Sequence, residues 1–107
     1  MLESVRLQIE RVKQDYPELE VSTLPDGTVQ VVIKNFRIPS HWGRERTNIQ
    51  FSLPAGYPQA MPSGFAAQFD GVNWKGVCWR PSSWNPKTDS LWKWIKLIEK
   101  FFEENRP

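Results

Sequence analysis

Apolar residues recur every three or four positions at Leu2, Val5, Ile9, Val12 and Tyr16, and Glu3, Arg6, Glu10, Arg11, Lys13 and Asp15 fill the gaps. This period places the apolar set on one narrow stripe and predicts an amphipathic helix over 2–16. Pro17 ends it, because the residue before a proline avoids helical geometry. Glu18 to Thr23 alternates weakly, and Thr28 to Phe36 is rich in β-branched residues; Pro25-Asp26-Gly27 lies between them. Proline presets φ and glycine accepts positive φ, so the three segments predict a hairpin. Residues 37–47 read as a polar loop. Asn48 to Leu53 then alternates, with Ile49, Phe51 and Leu53 on one side, as a half-buried strand requires.

Three prolines and a glycine exclude helix and central strand from Pro54 to Pro62. Phe65 to Phe69 is a short strand, and 70–87 has no steady period. A second amphipathic helix is expected over 89–103, capped by Thr88, Asp89 or Ser90. Leu91, Ile95, Ile98 and Phe102 form its main stripe, widened by Trp92, Trp94, Leu97 and Phe101. Helix, antiparallel strands, an irregular segment and a helix give an α+β fold with a sheet of three to four strands.

A chain of 107 residues supports one domain, 1–107. At 39% hydrophobic and 24% charged residues, it belongs to the folded class. No apolar run nears the ~18 residues of a membrane span. Charge breaks the apolar positions at the N-terminus, which argues against a signal peptide. With one cysteine, neither an intrachain disulfide nor a multi-cysteine zinc site is available, so no metal is expected and the setting is read as cytoplasmic. A net charge of +2 does not point to nucleic acid, and no membrane partner is expected. Six tryptophans and nine prolines imply an aromatic core with ordered turns.

Cys78 stands in Gly76-Val77-Cys78-Trp79-Arg80-Pro81, outside any periodic apolar element. It reads either as a buried structural thiol or as a nucleophile, and Lys75 and Arg80 nearby favour the thiolate. His41, the single histidine, reads as an exposed loop residue. Asp15, Glu18 and Glu20 read as solvated charges at a helix end. Trp74, Trp79 and Trp84, spaced by five, read as core in preference to a base-stacking platform. No glycine-rich phosphate loop is present, and no cofactor is expected.

Four landmarks then fall in order. Tyr57-Pro58-Gln59-Ala60-Met61-Pro62 resembles the Tyr-Pro-x-x-x-Pro turn of ubiquitin-conjugating enzymes, between two strands as in that family. Gly76-Val77-Cys78-Trp79 resembles the segment around the family's active cysteine. Trp84-Asn85-Pro86 is similar to the family's Trp-Ser-Pro before the central helix, and the opening helix sits where the family has its first. The resemblance implies a UBC fold and a thioester carried on Cys78. It assigns Tyr57, Pro58, Pro62, Trp84 and Pro86 to support of the site, and Arg6 and Lys13 to contact with a separate activating enzyme. It implies a ubiquitin-like modifier and a target protein as partners. The family's His-Pro-Asn is replaced by Gln68-Phe69-Asp70-Gly71-Val72-Asn73, where Asp70 and Asn73 are the candidates for its supporting role. The family's two C-terminal helices have no counterpart here. The chain is also shorter than the family's usual domain, and all three departures resemble compact, divergent members in bacterial operons, including antiviral ones. The alternative is a catalytically inactive interaction domain of the same fold.

Overall fold

The computed structural model describes residues 3–57, 59–62, 64–77, 84–85, 87 and 89–105. Helix α1 spans Glu3–Asp15, and a five-stranded antiparallel sheet follows in sequence order: β1 Leu19–Thr23, β2 Val29–Arg37, β3 Arg46–Leu53, β4 Phe65–Ala67 and β5 Lys75–Val77. Helix α2, Leu91–Glu104, closes the fold. The architecture is α+β.

Strand alternation decides what the sheet presents to each side. Val29, Val31, Ile33, Phe36, Ile49, Phe51, Leu53, Phe65 and Ala67 are buried in one cluster with Val5, Ile9 and Val12 of α1 and Leu91, Trp94, Ile95, Ile98 and Phe102 of α2. Both helices therefore cover the same face. On the other face one row reads Glu20, Val32, Gln50, Ala66 and Gly76 from register partner to register partner, and none of the five is buried. One face packed and one wet is what an antiparallel sheet tolerates and a parallel one rarely does.

The first hairpin closes through Pro25-Asp26-Gly27. The Asp26 carboxylate accepts from Thr28 N at 2.9 Å, and Gly27 takes φ +89°, where a side chain would be strained. In β2 a bulge separates Ile33 from Phe36, so three steps on β2 match two on β3, and Asn35 adopts φ +58°. The extra residue returns Phe36 to the core face.

Three sequence expectations change. The sheet has five strands where three to four were expected. Lys75-Gly76-Val77 is too short and too polar for alternation to register; its backbone pairing to β4 makes it a strand. The polar loop 37–47 shortens, because Arg37 pairs with Arg46 and Ile38 N donates to Glu45 O at 3.0 Å, leaving Ile38 buried. Backbone hydrogen bonds carry the hairpin beyond the alternating run and bring Ile38 into the core. Inside that connection, Ser40–Trp42 forms one 3-10 turn. Trp42 packs on Phe69 and Phe102, and its Nε1 donates to Phe102 O at 2.8 Å. The third change is at the start of α2. Ser90 is its N-cap residue, yet the Ser90 side chain makes no capping bond.

Candidate functional site

The Tyr57 turn sits between β3 and β4. Tyr57 N donates to Pro54 O and Ala60 N to Gly56 O, both at 2.9 Å, so the turn satisfies these two N–H groups internally. Tyr57 is 3% exposed, and Pro62 is fully buried. Burial pushes the Tyr57 phenol well above its ordinary pKa, so it remains a neutral donor. Its hydroxyl donates to Gln8 Oε1 on α1 at 2.5 Å. The same oxygen accepts Leu91 N, the first N–H of α2, at 3.1 Å. Gln8 thus satisfies one of the orphan N–H groups at the start of α2, where the Ser90 side chain makes no capping bond.

Trp84 meets this turn, its ring 6.1 Å from that of Tyr57. It is partly buried and packed against the core, less enclosed than a fully buried tryptophan such as Trp94. Next to it, Asn85 N donates to Asp89 Oδ2 at 2.7 Å, and Asp89 N donates back to Asn85 O at 2.7 Å. Asp89, 9% exposed, also accepts Lys93 Nζ at 2.7 Å. Buried charge is tolerable where it is paired and hydrogen-bonded in this way. Cys78, Trp79, Arg80, Pro58, Pro86 and Thr88 lie outside the described residues.

Asp70 and Asn73 bond to each other. Asp70 Oδ1 accepts Val72 N at 2.8 Å and Asn73 N at 2.7 Å, and Oδ2 accepts Asn73 Nδ2 at 3.0 Å. These donors, led by the Asn73 and Val72 amides, hold the Asp70 carboxyl down at about 2. The hairpin register puts both residues at its closed end. Val77, next to Cys78 in sequence, pairs with Phe65 at the open end. The ordered loop leaves Val72 72% and Trp74 43% exposed. Of the three evenly spaced tryptophans, Trp74 is therefore at the surface and Trp84 against the core, with Trp79 not described.

The low Asp70 value has a pH consequence. A carboxylate whose folded pKa lies below its unfolded value near 4 contributes above that value and loses its contribution as pH falls toward 2. The Val72 and Asn73 amides should therefore exchange faster as pH drops through this window, relative to the intrinsic rate. Asp70→Asn should flatten that dependence. An unchanged profile in the variant would remove Asp70 as its cause.

On α1, Arg6 is exposed and held by Glu3 and Glu10 on its own helix. Lys13 is exposed with no ion pair among the described residues. His41 is partly buried, where an exposed loop residue was expected. Its Nε2 lies 2.9 Å from Asn105 O, at the C-terminal end of α2, where a histidine donor suits the free carbonyls. Among the described residues there is no group of three His, Cys, Asp or Glu side chains able to hold a metal. Nor is any helix among them long and apolar enough to cross a membrane.

Sequence reasoning passed over Gln8. Its signal was a carboxamide flanking the apolar stripe, one residue before Ile9 and three after Val5, where only tertiary packing says which donors converge. No family model, curated protein or solved structure matches this chain.

Proposed function

We propose that the chain is a ubiquitin-conjugating-like enzyme that carries a ubiquitin-like modifier as a thioester on Cys78 and passes it to an amine of a target protein. The supporting observation is the spatial order of the landmarks. The buried Tyr57 turn leads from β3 to β4, β5 ends at the residue before Cys78, and Trp84 returns to Tyr57 before α2 begins. The flanks of the cysteine segment are thus fixed, one by strand pairing and one by an aromatic contact. The chemistry asks little else of the chain. A separate activating enzyme makes the modifier's C-terminal acyl group reactive; the Cys78 thiolate attacks its carbonyl carbon, and the S–C bond forms as the bond to the leaving group breaks. The target amine then attacks the thioester, the C–N bond forms, and the thiolate leaves. Orientation of the amine and stabilisation of the oxyanion supply the rate. A bacterial, antiviral setting in the cytoplasm remains part of this proposal.

The test is an intact mass after incubation with modifier, activating enzyme and ATP. An adduct of modifier mass that a thiol reductant removes supports the proposal; a chain that never shifts overturns it. The interaction-domain alternative draws on Val72 and Trp74, exposed on a hydrogen-bonded loop. It requires function to survive Cys78→Ala.

The first helix offers a second test. Lys13→Glu combined with Arg6→Glu should slow loading several-fold if this face meets the activating enzyme. Arg6→Glu also sets like charges beside Glu3 and Glu10, which weakens the helix itself. Lys13→Glu alone is therefore the cleaner variant. Loading at the native rate in both would return α1 to an ordinary solvated face.

A further inference from the structure

We infer that strand β1 is the docking edge for a second copy of this chain, paired antiparallel about Val21 so that the two sheets become continuous. β1 stands first in the sheet order and has a neighbouring strand on one side only. The bonds just beyond its ends set the phase of its pairing. Lys34 N donates to Glu18 O at 3.4 Å, and Leu24 N to Thr28 O at 2.8 Å. Bonded and non-bonded pairs alternate along an antiparallel ladder, so Glu20 and Ser22 also bond inward, to Val32 and Gln30. The N–H and C=O groups of Val21 and Thr23 therefore point away from the sheet, as does Leu19 O. Leu19 N is already taken, by Tyr16 O at 3.1 Å.

A row of outward backbone groups is a template for another strand unless proline, a bulge or charge blunts it. β1 contains no proline, its register with β2 is unbroken, and its one charge, Glu20, is paired with Lys34 Nζ at 3.1 Å. The sequence around it also has the symmetry that a two-fold axis needs. Pro17 and Pro25 stand equally far from Val21, so pairing centred there sets proline against proline, beyond both ends of the strand. Val21 then faces Val21, Leu19 faces Thr23 and Glu20 faces Ser22, with no like charges opposed. Moving the centre by one residue sets Glu20 against Glu20 in one direction and Leu19 against Pro25 in the other. In the Val21 register each Val21 bonds its counterpart and Thr23 N donates to Leu19 O, so the occupied Leu19 N is not called on. Val21, partly buried on the helix-covered face, gains the cover of its own copy.

The strand is short, so the dimer is a weak one, and sedimentation should be followed from about 10 µM to about 1 mM. The native chain should pass from monomer toward dimer across that range. Amide exchange should locate the interface: Val21 and Thr23 gain protection as concentration rises, while Glu20 and Ser22, already bonded to β2, keep theirs. Thr23→Pro deletes an outward N–H and no bond to β2, which an edge strand tolerates, and should hold the chain monomeric. Charge at Ser22 reads the register and does not depend on the proline variant folding. Ser22→Glu meets Glu20 of the second copy at both symmetric positions and should weaken association about fivefold, whereas Ser22→Lys should strengthen it. A native chain that stays monomeric throughout overturns the inference and leaves the edge to a partner of another sequence. A dimer in which Val21 and Thr23 remain unprotected overturns it too, as does one that Ser22→Glu and Ser22→Lys affect alike.

Discussion

Cys78→Ala should abolish thioester loading outright. It is the sole thiol in the chain, so no second sulfur can take its place. The thiolate is also the one side-chain nucleophile here that attacks an activated acyl group without a companion base. Cys78→Ser should give at most a slowly formed oxyester, resistant to thiol reductants. A hydroxyl is scarcely ionised near neutral pH, and an ester is a poorer acyl donor to amines than a thioester. The three chains separate by intact mass after one incubation with modifier, activating enzyme and ATP. The native adduct should vanish on reduction, the serine adduct should persist, and the alanine chain should carry none. A reductant-sensitive adduct on Cys78→Ala would show that the modifier is held elsewhere.

The largest expected loss of stability belongs to Trp94→Ala, about 3–5 kcal/mol, the range for deleting a large buried aromatic. Trp94 is 0% exposed, on the face of α2 that meets the sheet, with its ring 6.2 Å from Phe51. Truncation opens a cavity between helix and sheet that rigid strands on one side cannot fill. Domains of this size hold about 5–15 kcal/mol in total, so the loss is a large fraction of what keeps the chain folded. Urea unfolding followed by circular dichroism measures it, and Trp94→Phe, keeping most of the contact, should lose less. Trp84→Ala should cost less than Trp94→Ala, because Trp84 is only partly buried. The reverse order would mean that the Tyr57–Trp84 contact carries more of the fold than the helix–sheet core does.

The sequence by itself determined the two helices, the first hairpin, the alternating strand through Ile49, Phe51 and Leu53, and the exclusion of helix from the proline-rich turn. Each rests on a local cause: a period of three to four, a period of two, a glycine at positive φ, or a missing N–H. The stripe Leu91, Ile95, Ile98 and Phe102 is buried throughout, as its spacing requires.

Tertiary structure alone decided the rest, because the deciding interactions join residues far apart in the chain. Strand β5 exists through backbone bonds to β4, which no side-chain pattern in Lys75-Gly76-Val77 announces. The end of α2 is completed by Trp42, 60 residues earlier, and its beginning by Gln8, 83 residues earlier. The Asp70 carboxylate accepts from Val72 N, Asn73 N and Asn73 Nδ2, a turn that residue spacing alone does not announce. Among the tryptophans, composition implied an aromatic core, but only packing separated the fully buried Trp94 from the exposed Trp74 and Trp92. Hydrophobic residues are driven inward in proportion to area, and that force is non-directional. Which of several equivalent rings reaches the interior is settled by the geometry of the sheet and helices that surround it.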